Sequence, residues 1–272
     1  MSRLATRFAT LREQRRTALI PYITAGDPQP SVTVPLMHAL VAAGADVLEL
    51  GVPFSDPMAD GPVIQAACER ALEHHVSLRQ ILDMVSAFRQ QDEQTPVVLM
   101  GYLNPVEVMG YELFSRAAHE AGVDGVLTVD LPPEEAQDLL VSLKAEGLDP
   151  IFLAAPTSDD ERIRLMSRAG GGFLYYVSFK GVTGANRLDV QSVKDKLTQI
   201  RANTELPVGV GFGISDAESA ARIAEFADAV VVGSALVKRI AALVDSPEQI
   251  PVQAPQVIAE MRAAMDRVVA TS

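Results

Sequence analysis

The sequence predicts a single-domain (β/α)8 barrel, the TIM-barrel architecture of the α/β class. Short apolar runs that end in glycine or proline alternate with longer amphipathic stretches along all 272 residues. Eight such runs occur, and 272 residues divided by eight leaves 34 per unit, enough for a strand, a crossover helix and two loops. The runs are nearly all apolar, as parallel strands covered on both faces require. A doubly wound open sheet is the alternative that this pattern leaves open.

The elements follow in a regular order. The predicted strands are residues 19–24, 47–50, 97–100, 125–129, 150–153, 173–177, 208–211 and 229–232. Two extra helices are predicted at the ends of the chain, over residues 2–14 and 254–269. Ser215 and Glu218 have the spacing of a capping box. Glycines suited to left-handed helix ends follow four of the helices, at Gly44, Gly122, Gly147 and Gly170.

Composition fits one globular domain that spans residues 1–272. Hydrophobic residues make up 48% of the chain, and no linker or low-complexity tract divides it. The formal net charge of −12 argues against general nucleic-acid binding. A single cysteine, Cys68, cannot form an intrachain disulfide and suits a reducing cytosol. The arginine-rich N-terminus imitates a transit peptide, but it leads directly into the first strand, so we expect a cytoplasmic protein.

Functional residues are expected where the strands end, because barrels of this kind carry their active sites there. The second predicted strand holds Glu49 in an otherwise apolar run. Burial raises the pKa of a lone carboxyl, so that such a group is able to donate and recover a proton near neutral pH. The structural alternative for Glu49 is an ion pair with an arginine.

The loop over residues 53–62 combines two carboxylates with three prolines and has no basic residue. Proline stiffens the loop, so one of its acids can be held at a defined place over the barrel mouth. Asp60 is the candidate, although it precedes Gly61 and Pro62 and could equally be a helix N-cap.

The sixth predicted strand ends in two tyrosines and leads into a polar, glycine-containing segment. Successive strand residues point to opposite faces, so one of Tyr175 and Tyr176 faces the barrel interior, with core packing as the alternative for either. Residues 178–187 contain two glycines and few apolar anchors, and we predict that they form a mobile lid.

The last two strands end in motifs that suit a phosphate group. Gly211-Phe212-Gly213 and Gly233-Ser234 occupy the place where barrels commonly bind phosphate through backbone N–H groups and a helix N-terminus. None of the four histidines follows a predicted strand or forms a metal-binding motif, so we predict no metal site.

Five motifs stand in order along the chain. They are Pro21-Tyr22-Ile23-Thr24-Ala25-Gly26-Asp27-Pro28, the stretch 49–62 from Glu49 to Pro62, Met100-Gly101-Tyr102-Leu103-Asn104-Pro105, Gly181-Val182-Thr183-Gly184 and Gly209-Val210-Gly211-Phe212-Gly213-Ile214. Together they closely resemble the tryptophan synthase alpha chain family. The likeness covers nearly the whole chain, and the second motif is highly specific.

The resemblance implies a lyase that cleaves indole-3-glycerol phosphate to indole and glyceraldehyde 3-phosphate. By this likeness Glu49 protonates C3 of the indole and helps remove the proton of the hydroxyl that becomes the aldehyde. Asp60 binds the indole N–H, and Tyr175 supports the site near the glycerol chain. The likeness assigns the substrate pocket to Tyr22, Met100, Tyr102, Leu127, Val129 and Leu153. It assigns the phosphate to Gly184, Gly213, Gly233 and Ser234, and it counts Thr183, Gly211 and Phe212 among the other substrate-binding residues.

The chain departs from the common family pattern at several positions. It has Tyr22, Met100 and Val129 where Phe, Leu and Ala are more frequent, changes that alter the pocket shape without removing a catalytic group. The predicted lid begins Ser178-Phe179-Lys180-Gly181 where many members have Ser-Arg-Ala-Gly. A role of that arginine therefore does not carry over to this chain.

The resemblance also implies a partner. An alpha chain binds a beta chain that holds pyridoxal phosphate, in an αββα assembly through which indole passes by an internal tunnel. No cofactor is expected in this chain itself. Loops that carry Pro53, Asp56, Asn104 and Pro132 are expected to meet the beta chain.

Two other functions stay open at the level of sequence. Lys180 follows the sixth strand and could form a Schiff base with a phosphorylated substrate, as in an aldolase. Alternatively, the chain is a phosphate-binding barrel without catalytic activity that activates a partner.

Overall fold

The computed structural model describes residues 2–178, 190–211 and 213–269, without the side chain of Val269. Every strand pairing in this part of the chain is parallel. The strands are β1 (Ala18–Thr24), β2 (Leu48–Gly51), β3 (Val97–Gly101), β4 (Gly125–Thr128), β5 (Asp149–Ile151), β6 (Leu153–Ala154), β7 (Leu174–Val177), β8 (Val208–Gly211) and β9 (Ala229–Val232).

The sheet closes into a barrel. Its strand order is β5-β4-β3-β2-β1-β9-β8-β7-β6, so the two ends of the order are consecutive in the chain. Only Phe152 separates β5 from β6, and its carbonyl accepts a hydrogen bond from the N–H of Tyr175 at 3.0 Å. The two short strands are therefore halves of the predicted fifth strand, which is divided between two neighbours. The predicted (β/α)8 barrel is confirmed, and the open sheet is wrong.

Helices cover the outside of the barrel. They are α1 (Arg3–Glu13), α2 (Pro30–Ala42), α3 (Pro62–Glu73), α4 (Leu78–Arg89), α5 (Leu103–Met109), α6 (Tyr111–Ala121), α7 (Gln137–Ala145), α8 (Asp160–Ala169), α9 (Val190–Arg201), α10 (Ala217–Ala224), α11 (Ser234–Ala241), α12 (Ile250–Gln253) and α13 (Gln256–Val269). The predicted terminal helices are confirmed as α1 and α13. Two helices follow β2 and two follow β3, which the sequence analysis did not resolve. Among the described helices, none has both the length and the apolar character needed to cross a membrane.

Alternation along the strands divides the core into two layers. Outward side chains such as Leu48 and Leu50 pack against the helices, and inward ones such as Ile20 and Leu127 fill the barrel. Helix α1 closes the amino-terminal end of the barrel, because its buried side chains Leu4, Phe8 and Leu11 belong to the inner layer. The arginine-rich N-terminal segment is thus part of the fold.

Buried carboxylates tie the elements together at the amino-terminal ends of the strands. Asp124 accepts hydrogen bonds from Arg3 at 2.9 Å, from Arg89 at 2.8 Å and from the N–H of Val97 at 2.8 Å. These contacts join α1, α4 and β3 at the start of β4, on the face opposite to the strand ends where the candidate site lies.

Two predictions about helix ends were wrong. The capping box of α10 is formed by Asp216 and Ser219, one residue later than the predicted pair of Ser215 and Glu218, because Asp216 is the residue whose backbone turns into the helix. Gly170 has an ordinary φ of −83°. The other three predicted glycines are left-handed, with φ values of 102°, 90° and 72° at Gly44, Gly122 and Gly147.

Candidate active site

Glu49 lies inside the barrel as the second residue of β2. Its neighbours Leu48 and Leu50 pack outward against the helices, so strand alternation directs Glu49 inward. It is in register with Tyr22 on β1 and with Val98 on β3. Only 1% of the residue is exposed, and a carboxyl therefore lies in the apolar interior.

The carboxyl group of Glu49 is buried without a donor. Among the described residues, neither of its oxygens has a hydrogen-bond partner. An arginine paired with it would supply one, so the ion-pair alternative fails for the part of the chain that the structure describes. Burial raises the pKa of Glu49 to about 8, and the negative charge of Asp60 adds to that rise. Glu49 is consequently protonated in most molecules at neutral pH.

Tyr102 holds Asp60 in the loop between β2 and α3. The Tyr102 hydroxyl donates to Oδ2 of Asp60 at 3.0 Å and accepts from the N–H of Ala59 at 2.9 Å. Its ring stacks on Phe54 of the same loop, with 5.1 Å between ring centroids. Nε2 of Gln65 donates to the carbonyl oxygen of Asp60 at 2.8 Å. Both the backbone and the carboxyl of Asp60 are thereby fixed.

Asp60 is not the N-cap of a helix. Helix α3 begins at Pro62 with Gly61 as its cap, and the Asp60 side chain turns to Tyr102 instead. Burial raises the pKa of Asp60, and the hydrogen bond from Tyr102 lowers it. The two carboxyls thus differ in kind, because the charge of Asp60 has a donor to stabilise it and Glu49 receives none from the described residues.

Two buried tyrosines share the interior with Glu49. Tyr175 belongs to the inner layer and Tyr176 to the outer one, which confirms the predicted division of this pair. Burial raises the pKa of both Tyr175 and Tyr22, and the negative charge of Glu49 contributes to each rise. The phenols therefore lie within electrostatic range of the carboxyl.

Glycines at two strand ends make room for these tyrosines. A Cβ atom on Gly211 would overlap the Tyr175 hydroxyl and lie 2.6 Å from carbons of its ring. A Cβ atom on Gly51 would similarly overlap the hydroxyl of Tyr22. The close approach of Tyr175 thus requires a glycine at position 211. The same residue was predicted to contribute to phosphate binding. The Tyr22 hydroxyl lies 3.2 Å from Oγ1 of Thr24.

Apolar side chains predicted to contact the indole surround this centre. Leu127 is buried in the inner layer, and Met100, Val129 and Leu153 are half-buried against it. Met100 also packs against the cluster that contains Tyr22. The fold therefore brings the predicted pocket residues together, and their contact with a substrate stays a prediction.

The residues predicted for phosphate lie at the ends of β8 and β9. Gly211 ends β8, Gly213 has a φ of 81°, and Gly233 caps α11, which begins at Ser234. A Cβ position on Gly233 lies 3.9 Å from Cβ of Tyr22, so this end adjoins the interior site. The predictions for Thr183, Gly184, Phe212 and Lys180, and nearly all of the lid, fall outside the described residues.

The residues predicted to meet a partner lie after the ends of β2, β3 and β4. Asp56 and Asn104 are exposed and Pro132 is half-buried, but Pro53 is buried within the chain itself. Asn104 lies in the first turn of α5, whereas it was predicted on a loop. The interface itself stays a prediction.

Sequence reasoning missed the hydrogen bond between Tyr102 and Asp60. Tyr102 was assigned to the substrate pocket, but its hydroxyl contacts a carboxyl that lies 42 positions earlier in the chain. The available signal was the order of the strands, because β2 and β3 are neighbours and the segments after them must meet. No group of three or more His, Cys, Asp and Glu side chains placed to hold a metal ion occurs within the described ranges.

The fold and the site define a class of protein. A (β/α)8 barrel with a buried glutamate of raised pKa in its interior, and with a hydrogen-bonded aspartate in the loop after the same strand, is equipped for acid–base chemistry.

Comparison with known proteins identifies the family. The family model described as tryptophan synthase alpha chain matches residues 8–266. The tryptophan synthase alpha chain of Thioalkalivibrio sulfidiphilus is 67% identical over 266 residues, covering 98% of this chain and all of that one, and that of Nitrosococcus oceani is 62% identical over 98% of each. The crystal structure of the alpha subunit from Legionella pneumophila superposes with a TM-score of 0.93 at 47% identity, covering 98% of this chain and 99% of that one.

This chain belongs to the tryptophan synthase alpha chain family. It is accordingly a lyase that cleaves indole-3-glycerol phosphate, and it acts as the alpha subunit in a complex with a beta chain. Pyridoxal phosphate is held by the beta chain, and the alpha chain carries no cofactor.

Proposed function

We propose that Glu49 and Asp60 carry out the cleavage as an acid and an anion held in different environments. The observation that supports this most directly is the contrast between them, since Glu49 has a pKa near 8 and Asp60 accepts a hydrogen bond from Tyr102. A neutral carboxyl and an ionised one within one site suit a reaction that needs a proton donor and a stabiliser of positive charge.

Glu49 would start the reaction by protonating C3 of the indole. The ring then becomes an iminium that accepts the electrons of the bond between C3 and the glycerol chain when that bond breaks. The hydroxyl of the adjacent carbon loses its proton to Glu49, and its O–H electrons form the aldehyde C=O. One proton enters at C3 and one leaves the hydroxyl, so Glu49 returns to its neutral form.

Asp60 would accept a hydrogen bond from the indole N–H. Positive charge develops on this nitrogen when C3 is protonated, and an adjacent carboxylate lowers the energy of that state. Tyr102 keeps Asp60 in place by its hydrogen bond, so we assign Tyr102 a positioning role beside its predicted pocket contact. Tyr175 lies within range of Glu49 and would support the glycerol chain.

Replacement of Glu49 by glutamine tests the proposal. Glutamine keeps the shape of the side chain but has no acidic proton, so we expect indole release by Glu49→Gln to fall at least 100-fold, a typical contribution of general acid–base catalysis. Binding of indole-3-glycerol phosphate to this variant, measured at equilibrium, should be retained. Glu120→Gln, on the exposed face of α6, is the matched control. Unchanged indole release by Glu49→Gln would reject the carboxylate mechanism.

Borohydride distinguishes the carboxylate mechanism from a Schiff base on Lys180. A Schiff base is reduced to a stable amine, so turnover in the presence of borohydride would attach substrate to the lysine. We expect activity to persist and no mass to be added to the chain.

We further propose that the chain works in the cytoplasm, in an αββα assembly through which indole passes internally. The single cysteine, which is buried and free, fits a reducing compartment. Asp56, Asn104 and Pro132 are available at the surface for the contact with the beta chain.

A further inference from the structure

A second cavity lies at the opposite end of the barrel from the site of Glu49. It has a volume of about 320 Å³ and lies between the end of α1 and the segments that precede β8 and β9. Its apolar lining includes Phe8 and Leu11 of α1 together with Phe226 and Pro207. At about 30 Å³ for each water of the liquid, the cavity has room for roughly ten non-hydrogen atoms.

The rim of this cavity is basic, although the whole chain carries a net charge of −12. Four arginines line it, against the two acids Glu225 and Asp228, namely Arg12, Arg15, Arg16 and Arg201. Arg16 is engaged with Asp266 at 2.9 and 3.0 Å, and Arg201 with Asp228 at 3.1 Å.

Two of these arginines are not engaged. Within the described part of the chain, Arg12 and Arg15 form no ion pair, and both are exposed at the rim. Guanidinium groups bind carboxylates and phosphates through two parallel hydrogen bonds. The rim therefore offers two unpaired guanidinium groups, against the carboxylate of Glu225, beside the apolar side chains that line part of the cavity.

The backbone of Arg15 shows that this position is unusual. Its φ is 54°, in the left-handed region that favours glycine. The N–H of Arg15 bonds to the carbonyl of Arg12 at 3.0 Å and that of Arg16 to the carbonyl of Leu11 at 2.8 Å, the pattern of a helix end at which glycine is the usual residue. An arginine in this left-handed position is less stable than a glycine would be. A second positive charge is not needed at this end of the helix, because Arg12 already interacts with the negative end of the helix dipole. This left-handed turn ends α1 at the cavity, and the side chain of Arg15 forms part of the cavity lining.

We propose that this cavity binds a small organic dianion, with Arg12 and Arg15 pairing with its charged groups and Phe8, Leu11 and Phe226 packing against its apolar body. The charged part is a dicarboxylate or a phosphate monoester, since arginine recognises both in the same way. The site is separate from the catalytic one, which lies at the carboxyl ends of the strands.

The test uses the full chain and two probes, phthalate as the dicarboxylate and phenyl phosphate as the monoester. Binding is measured by calorimetry for the parent, for Arg12→Gln and for Arg15→Gly, with Arg116→Gln on the exposed face of α6 as the control. We expect at least one probe to bind the parent protein. Its affinity should fall tenfold or more in both rim variants and should change less than twofold in the control. The probe that responds identifies the charged group.

The variant Arg15→Gly separates binding from folding. Glycine adopts the left-handed conformation without strain, so the melting temperature of Arg15→Gly should equal or exceed that of the parent protein. Binding of the probe should nevertheless be lost. Indole release should be unchanged in both rim variants. Affinities for both probes that stay within twofold of the parent in the rim variants would overturn the proposal, because any binding would then be located elsewhere, such as at the phosphate end of the catalytic site.

Discussion

Glu49 and Asp60 have different pKa values because their surroundings offer different donors. Both lose hydration on burial, which penalises the ionised form. Tyr102 gives the charge of Asp60 a hydrogen bond, whereas Glu49 receives none from the described residues and also feels the charge of Asp60. The neutral form of Glu49 is therefore favoured, as a proton donor to carbon requires.

The pH dependence of the reaction should report the pKa of Glu49. The protonated form is the active acid, so kcat/KM for indole formation should be level between the acidic limb, where Asp60 becomes protonated, and about pH 8, and it should fall as pH rises through that value. At higher pH the decline should approach tenfold per unit. Steady-state rates of the free chain between about pH 4 and about pH 10 provide the measurement, and a decline that is centred near pH 4.5, the ordinary value, would contradict the assignment.

Removal of the Tyr102 hydroxyl should act through Asp60. A hydrogen bond to a charged group contributes about 1.5 to 3 kcal/mol, so we expect Tyr102→Phe to lower kcat/KM by about tenfold or more. Loss of the donor also raises the pKa of Asp60 further, which shifts the acidic limb of the pH profile to higher pH. Tyr111→Phe, a half-buried tyrosine of α6, is the control and should change neither quantity. A lower rate with an unmoved acidic limb would indicate that Tyr102 acts only as a pocket wall.

At the scale of the elements, the proposed catalytic residues and the buried ion pairs lie in different parts of the barrel. Tyr22, Glu49 and Tyr175 lie within β1, β2 and β7, and Asp60 lies in the loop after the carboxyl end of β2. The amino ends of β3 and β4 are instead joined by Asp124 to arginines of α1 and α4. Substitutions in the two parts should therefore separate into those that affect activity and those that affect stability.

Loss of the Asp124 carboxylate should destabilise the fold without changing the chemistry. Asp124→Ala leaves the Arg89 side chain, which is 9% exposed, without its charged partner, so we expect the free energy of unfolding to fall by about 3 to 5 kcal/mol. Glu218→Ala breaks an exposed pair with Arg222 and should cost less than about 1 kcal/mol. Urea unfolding measures both. A specific activity of folded Asp124→Ala below half that of the parent would contradict this division.

At the scale of the whole molecule, one end of the barrel exposes apolar side chains. Met58, in the loop after β2, is 90% exposed, and Val108, on α5 after β3, is 80% exposed. Both belong to the segments that carry Asp56 and Asn104. These are the two most exposed large apolar side chains among the described residues, and a partner that covers them would account for that exposure.

Substitution of these side chains should weaken the complex with the beta chain. Burial of a side chain of this size contributes about 1 kcal/mol or more to association, so Met58→Ser and Val108→Ser should each raise the Kd about five- to tenfold. Val141→Ser, at the exposed surface of α7, is the matched control. Titration of purified beta chain with each variant gives the Kd, and values equal to that of the parent for both variants would place the interface elsewhere.

The sequence alone determined the architecture and the candidate residues for the chemistry. Apolar runs at regular spacing predicted every strand of the barrel, with β8 and β9 at their observed bounds. A carboxylate in an otherwise apolar strand, together with the rule that barrel sites lie at carboxyl ends, made Glu49 a candidate, and the family resemblance supplied its role. These features are readable because periodicity and burial are encoded by residues close together in the chain.

Only the tertiary structure decided the hydrogen bonds and close contacts of the side chains in the candidate site. The lack of a donor to Glu49 from the described residues, the bond from Tyr102 to Asp60 and the approach of Tyr175 to Gly211 all join residues of different strands or loops. The division of the fifth strand at Phe152 likewise depends on two different neighbours. Such contacts arise when the barrel closes and brings distant segments within a few ångströms, a distance that no local pattern of the sequence encodes.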